Sequence, residues 1–283
     1  MYTCRWWTEK TVAIVTGANK GIGFAIVEKL AELGLMVVLT CRNEIKGIEA
    51  VLCLAKRGLT VEFCKLDVTS HESISKFACW LNGRFGVLDI LVNNAGVSFN
   101  EIDSNNVEKA ELVIRTNFYG QKMLIQELLP MFRRSAATKS RILNISSQLG
   151  LQNKVSNPAL KNLQKEEEIS EEKIDYMLNK FVEDVKKGTW KEAGWPMIWT
   201  DYSVSKHAVN AYSRLLSKQQ KGLNLSINCF CPGFTKTAMT GGMGTHTAQE
   251  AAEVAVRVIL LPPEKLPTGK FFKWLSPSLF SML

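Results

Sequence analysis

The sequence predicts an α/β fold: a three-layer, doubly wound parallel sheet with helices on both faces. Three observations carry this. Short β-branched apolar runs alternate with longer amphipathic ones along the chain of 283 residues. The runs are apolar on both faces, as expected of strands buried in a parallel sheet. The first run passes into a helix through a glycine-rich turn, TGANKGIG.

The elements follow in order. TVAIVTG (Thr11 to Gly17) reads as a buried strand. Ile22, Ile26, Leu30 and Leu33 fall at helical spacing and stop at Gly34. Next come strand Leu35 to Thr40, a helix near Glu44 to Lys56, and strand Thr60 to Leu66. A helix over Ser73 to Trp80 precedes strand Val87 to Asn93. Two helical stretches fall near Val107 to Asn117 and Gln121 to Phe132, and strand Arg141 to Ser146 follows. After a break come a helix from about Asp201 to Gln220, strand Asn224 to Phe230, a helix near Ala248 to Leu261 and a strand over Gly269 to Trp274. No repeat and no Gly/Ser linker divides the chain, so residues 1–283 read as one domain.

One stretch breaks the rhythm. Residues 150–200 are polar and charged, with EEE at Glu166 to Glu168. Within them Ile174, Met177, Leu178, Phe181, Val182 and Val185 fall at helical spacing. This predicts a helix over Glu171 to Lys187, ended by Gly188, inside an ordered insertion.

Composition excludes several classes. Apolar residues make up 46% and charged residues 22%, ordinary globular values that rule out a disordered or fibrous chain. No apolar run approaches the ~18 uncharged residues of a membrane span. The net charge of +8 is scattered, without a basic block, and suits an anionic ligand better than nucleic acid. Seven cysteines, an odd number without a CxxC pair, and three histidines without zinc spacing point to a reduced, intracellular, cytoplasmic setting and to no metal. MYTCRWWTEK lacks the apolar core of a secretory signal, and Trp6 and Trp7 read as surface packing.

The turn after the first strand carries chemistry. Glycines allow tight turning and close approach to an anion, and a helix N-terminus offers free amides and a positive dipole end to a pyrophosphate. Gly17, Gly21 and Gly23 form GxxxGxG, with Asn19, Lys20 and Ile22 between or beside them. The second strand ends in Arg42, nineteen residues after Gly23. An NAD enzyme usually places Asp or Glu there. A guanidinium suits a 2′-phosphate, and Lys20 adds a second cation. The expected cofactor is NADPH/NADP+; the alternative is that Arg42 is a surface charge ending a strand.

TGANKGIG, NNAG (Asn93 to Gly96) and YSVSK (Tyr202 to Lys206), in this order, resemble the short-chain dehydrogenase/reductases. The insertion containing LNKFVEDVKKG, followed by GWP (Gly194 to Pro196), looks like the carbonyl reductase branch. TDYSVSKHAVNAYSR and PGFTKTAMTG are similar to the plant neomenthol dehydrogenase and salutaridine reductase group. The first seven residues and the tail KWLSPSLFSML lie outside the pattern. The resemblance implies a seven-stranded Rossmann-type sheet, a role in plant specialised metabolism and reversible hydride transfer between NADPH and a carbonyl.

It also implies a site. Tyr202 matches the proton donor. Its phenol, with an ordinary pKa of about 10, is expected to be made more acidic by Lys206, one helical turn away on the same face. Lys206 also matches the residue that bonds the nicotinamide ribose. Ser147 matches the serine that holds the carbonyl; Ser146 is the neighbouring candidate. Asn117 matches the asparagine of a proton relay. Asp67 and Val68 match the adenine-binding pair, Asn93 a residue on the adenosine side, and Pro232, Gly233 and Thr237 the turn near the carboxamide.

Phe99, Trp195, Met197, Phe234 and Met239 are candidate apolar walls of a substrate pocket, and TGGMG (Thr240 to Gly244) a candidate mobile lid. Such walls suit a bulky apolar ketone of terpenoid or alkaloid type, or the corresponding alcohol. In the related carbonyl reductases the inserted helix covers the surface used elsewhere for oligomerisation, so a monomer is expected. Two other functions stay open: an NADPH-binding regulatory or scaffold protein without turnover, and an alcohol dehydrogenase working oxidatively.

Overall fold

A computed structural model describes residues 5–102, 104–133, 135, 137–151, 156–164, 169–276 and 279–282. Cys4, Glu166 to Glu168 and Pro277 lie outside them. The chain runs β1 (Val12–Val15), α1 (Gly21–Glu32), β2 (Met36–Cys41), α2 (Glu44–Ala55), β3 (Glu62–Lys65), α3 (His71–Phe85), β4 (Ile90–Asn93), α4 (Val107–Ile114), α5 (Gly120–Leu128) and β5 (Ser140–Ile145). It continues through α6 (Pro158–Gln164), α7 (Glu171–Lys187), α8 (Thr200–Gln219), β6 (Leu225–Cys231), α9 (Ala248–Ile259), β7 (Phe271–Ser276) and β8 (Leu279–Met282).

The strands form one sheet in the order β3-β2-β1-β4-β5-β6-β7-β8. The first seven are parallel. The tail, which the sequence pattern left unassigned, adds β8 antiparallel to β7, pairing Phe272 with Met282 and Trp274 with Phe280. Phe280 packs edge-on against Phe272 at 5.3 Å, which holds the added edge strand to the sheet.

Strand alternation divides the core in two. Val12 and Ile14 point to one face and join α3, α4, α5 and α8. Ala13 and Val15 point to the other and join α1, α2 and α9. The strand order reverses between β1 and β4, where open sheets of this kind form a crevice at their carboxyl ends.

The insertion is ordered as its periodicity predicts. Ser170 caps α7 by accepting from Lys173 N, Gly188 ends it at φ 72°, and Ile174, Met177, Leu178, Phe181 and Val185 are buried. The same core takes up Trp195, which meets Phe181 at 5.2 Å and donates its Nε1 to Asp184 Oδ2 at 2.9 Å. Helix α6 carries no clear periodicity in the sequence; Leu160 and Leu163 bury it against this core.

The two helical stretches expected near Val107 to Asn117 and Gln121 to Phe132 are joined in the structure. The stretch expected to run from Val107 to Asn117 leaves α geometry at Ile114 and passes through a π turn, Arg115–Tyr119, straight into α5. Gly120 N bonds Arg115 O, five residues back. Apolar periodicity does not report a one-residue change of winding, and such turns cluster at functional sites.

Candidate active site

A cleft of about 580 Å³ opens along the carboxyl ends of β1, β2, β4, β5 and β6. Its phosphate-binding end is the β1–α1 turn. Gly17 adopts φ +60°, and a Cβ there would lie 2.8 Å from Ala95 Cα, so only glycine fits. A Cβ on Gly23 would lie 2.4 Å from Asn94 Nδ2, which lets α1 sit directly on the β4 loop. Asn94 Nδ2 donates to Thr16 O (2.9 Å) and Gly17 O (3.1 Å), and Thr16 Oγ1 accepts from Asn94 N and Ala95 N, both at 3.0 Å.

The turn is therefore held from behind, and α1 begins without a side-chain cap at Lys20. Uncapped first-turn amides, facing a cleft lined by Gly17, Asn19, Lys20, Gly21 and Ile22, are the donor set a pyrophosphate needs. Gly23, expected among the cofactor contacts, is not in the lining; it serves helix packing.

Arg42 is exposed at the end of β2 and lines the same cleft, as does exposed Lys20. Asp67 and Val68 line it too, with Leu66 and Thr69. Asp67 Oδ1 accepts from Thr69 N (2.9 Å) and Thr69 Oγ1 (2.7 Å), which fixes the turn after β3. Asn93 departs from expectation. Its side chain is buried within the sheet, donating to Asn144 Oδ1 at 2.8 Å, and does not line the cleft. Strand alternation turns it away and presents Asn94 instead.

Ser147 and Tyr202 both line the cleft floor, with the serine hydroxyl placed to act on the phenol. The choice between the two serines has a structural answer. Ser146 Oγ is committed to Asn210 Oδ1 of α8 at 2.6 Å. Ser147 Oγ accepts from Leu149 N at 3.1 Å and keeps its donor for the tyrosine side. On α8, Lys206 follows Tyr202 by one turn. Its Nζ lies 5.4 Å from the centre of the Tyr202 ring and donates to Ile145 O, at the end of β5, at 2.7 Å.

The electrostatics differ from the sequence expectation. Burial pushes the Tyr202 phenol up, nearby Cys231 adds to this, and the Ser147 hydroxyl opposes it. Burial brings Lys206 down to about 8, against the opposing pull of Cys229 and Cys231. Both groups lose water on the same floor, and desolvation disfavours each charge. The polypeptide by itself thus keeps a proton on Tyr202 and does not make the phenol acidic.

Asn117 sits in the π turn but outside the cleft lining. Its Oδ1 accepts from Val97 N at 2.8 Å, and its Nδ2 donates to Val97 O at 2.9 Å and Ser205 Oγ at 3.1 Å. The side chain is fully engaged in tying the β4 loop to α8, beside Lys206.

At the far end, Pro232, Gly233 and Thr237 all line the cleft. Thr237 starts a short turn over Ala238–Thr240 with reciprocal capping bonds to Thr240. Beneath lies a residue the sequence reading gave no role: buried His246 stacks on Trp274 at 3.6 Å, and its Nε2 contacts Pro232 O at 2.7 Å. No spacing links positions 232, 246 and 274, so only the fold reveals this support.

Of the expected apolar walls, Phe234 and Met239 line the cleft. Trp195 does not: its apolar ring fills the insertion core and its Nε1 is used by Asp184. Phe99 and Met197 are exposed and outside the lining. Trp199 lines the cleft and was missed, because an aromatic just before a helix carries no periodic signal. Among the described residues no group of three or more His, Cys, Asp or Glu side chains is placed to hold a metal ion.

Comparison with known proteins agrees with this geometry. The family described as short chain dehydrogenase matches residues 11–160 and 193–248. The chain is 37% identical to a (+)-neomenthol dehydrogenase of Arabidopsis thaliana, over 92% of this chain and 95% of that one. It is 40% identical to human carbonyl reductase [NADPH] 1, over 92% and 95%. The solved structure of salutaridine reductase from Papaver somniferum superposes with a TM-score of 0.87 at 37% identity, covering 92% of this chain and 99% of that one. The chain belongs to the short-chain dehydrogenase/reductase family, oxidoreductases that work with a nicotinamide cofactor.

Proposed function

We propose that the protein reduces a bulky, mainly apolar ketone of terpenoid or alkaloid type to a secondary alcohol, with NADPH as reductant. One observation carries this reading. Ser147, Tyr202 and Lys206 converge on the floor of a cleft whose other end is an uncapped helix N-terminus with Lys20 and Arg42 at its mouth. That donor set fits a dinucleotide with an additional phosphate on its adenosine ribose. The relatives named carbonyl reductase [NADPH], salutaridine reductase and neomenthol dehydrogenase point the same way.

Gly17, Asn19, Lys20, Gly21 and Ile22 hold the pyrophosphate, Arg42 the 2′-phosphate, Asp67 and Val68 the adenine, and Pro232, Gly233 and Thr237 the carboxamide end. When bound, NADPH supplies the hydride. Ser147 donates a hydrogen bond to the ketone oxygen and polarises the carbonyl. Tyr202 passes its proton to that oxygen as alkoxide character develops. The raised phenol pKa suits this direction, since a reductase needs Tyr202 protonated at the start, whereas oxidation needs a phenolate. Lys206, largely charged at neutral pH, stabilises the phenolate left behind. Asn117 acts as a positioning residue: it holds Ser205, next to Lys206, and the Val97 loop.

An NADPH-consumption screen over monoterpenoid, alkaloid and aromatic ketones, with chiral analysis of the products, tests the reading. Turnover with a bulky cyclic ketone is expected. NADPH binding without turnover on any of them would favour a regulatory or scaffold role instead.

Two further assignments belong to this reading. We place the protein as a monomer, because α7 packs across α4 and α8 and adds the ion pair Lys186–Glu111 at 3.1 Å; a larger mass by light scattering would overturn this. We place it in the cytoplasm, on the six cysteines free among the described residues. No helix among those residues is long and apolar enough to cross a membrane.

A further inference from the structure

The backbone at the start of α8 breaks a local rule. Helix N-caps favour Ser, Thr, Asp or Asn in an extended conformation. Here the position holds Trp199, left-handed at φ 47° and ψ 54°, with no side-chain cap. A bulky residue in this region is strained, and such strain persists only where surrounding structure enforces it.

That structure is present. Trp199 N donates to Glu101 O at 3.1 Å, and Ile198 pairs antiparallel with Ile102. Ser203 N bonds Trp199 O at 2.7 Å, so the residue also opens the helix. The loop behind it is tied to the opposite rim, where Asn100 Nδ2 donates to Met239 O. The Trp199 backbone is thereby held from two sides, and its half-buried indole lines the cleft. It meets the Tyr202 ring edge-on at 6.1 Å and 81°, and the Phe234 ring at 6.4 Å and 46°.

We propose that Trp199 is the specificity-determining residue of this site: its indole, set by a strained backbone bonded on both sides, forms with Phe234 an aromatic wall of two faces inclined at 46° beside Tyr202 that selects flat cyclic ketones over open-chain ones. The proposal rests on the reductase reading and adds the shape of the substrate to it. A planar ring system lies against such a wall without losing internal freedom. A flexible chain of equal carbon number loses rotamer entropy to do the same.

The test uses two nine-carbon ketones, 1-indanone and 2-nonanone, with wild type, Trp199→Ala and Trp199→Phe. The readouts are kcat/KM for each ketone, the affinity of 1-indanone for the NADP+ complex by calorimetry, and NADPH affinity. In Trp199→Ala the kcat/KM ratio of 1-indanone to 2-nonanone falls on the order of tenfold, mainly through KM. The calorimetric affinity for 1-indanone falls by a similar factor, and NADPH affinity stays within about twofold. Trp199→Phe keeps most of the preference, which shows that an aromatic face and not the helix start is being read.

An unchanged ratio, or an equal loss for both ketones, overturns the proposal; equal loss means that Trp199 only places Tyr202. If wild type turns over neither ketone yet binds 1-indanone in a Trp199-dependent way, the reductase reading fails and the aromatic wall stands.

Discussion

Lys206 Nζ hangs 5.4 Å from the centre of the Tyr202 ring while bonded to Ile145 O at 2.7 Å. The ammonium is thus anchored to the end of β5 and faces the phenol as a fixed cation. Tyr202→Phe keeps the ring and this packing and removes only the hydroxyl. Ketone reduction should fall on the order of 10²–10⁴-fold, the usual value of a positioned proton donor, while NADPH affinity measured by fluorescence stays near wild type. Comparable activity in the variant would remove Tyr202 from the chemistry.

The buried ammonium also bears on stability. Lys206 is brought from its ordinary 10.5 to about 8 by burial. Between those two values the unfolded chain binds more protons than the native one, so this group makes stability rise with pH across that window. Below about pH 8 the cost of the buried charge is fully present. Lys206→Met should therefore raise stability at pH 7 by on the order of 2 kcal/mol, after allowing ~1 kcal/mol for the lost bond to Ile145 O. The gain should vanish above about pH 10.5, while turnover is lost throughout. Urea melts at pH 7 and pH 10.5 measure it, and a variant less stable at pH 7 contradicts the argument.

Arg42 is exposed, and Asn43 beside it caps α2 by accepting from Lys46 N at 2.9 Å. The cap is made by the neighbour, so Arg42→Asp leaves α2 intact. The substitution trades a phosphate-pairing fork for a carboxylate that repels phosphate and accepts from a ribose hydroxyl. The KM for NADPH should rise by about ten- to a hundredfold, and that for NADH should fall. A cofactor preference that does not move would make Arg42 a surface charge.

Much of the fold was legible because both kinds of repeat it uses are visible locally. The buried strands read as apolar runs, and α7 declares itself by Ile174, Met177, Leu178, Phe181 and Val185 on one face, with Ser170 and Gly188 as its ends. Tyr202, Lys206 and Ser147 were legible through local motifs. What stayed hidden depends on which way a side chain turns or on contacts across the chain. Asn93 and Asn94 are adjacent, yet strand alternation sends the first into the sheet and the second to the phosphate turn. Trp195 and Trp199 are four residues apart; Asp184 claims the first for the core, and Glu101 turns the second to the cleft. For Tyr202, spacing shows the cation one turn away and not the burial that pushes its phenol up.

The N-terminal tryptophans, expected at the surface, prove structural. Trp7 is 3% exposed and donates its Nε1 to Leu33 O at the end of α1. Trp6 donates to Leu260 O just past α9, and the Arg141 guanidinium lies 3.4 Å from the centre of its ring. Each indole supplies a donor to a helix C-terminus, where carbonyls lack partners. Arg141 is itself buried, bonded to Ile259 O at 2.6 Å, and stacking on Trp6 covers its face. Trp7→Ala should cost about 3–5 kcal/mol, the usual range for a buried indole. Trp6→Ala should cost less, since Arg141 keeps its carbonyl partners and loses only the ring. Both lie at the opposite end of the sheet from the cleft, so kcat at 25 °C should hold while the denaturation midpoint drops. Equal midpoints for wild type and Trp7→Ala would mean that the segment is dispensable.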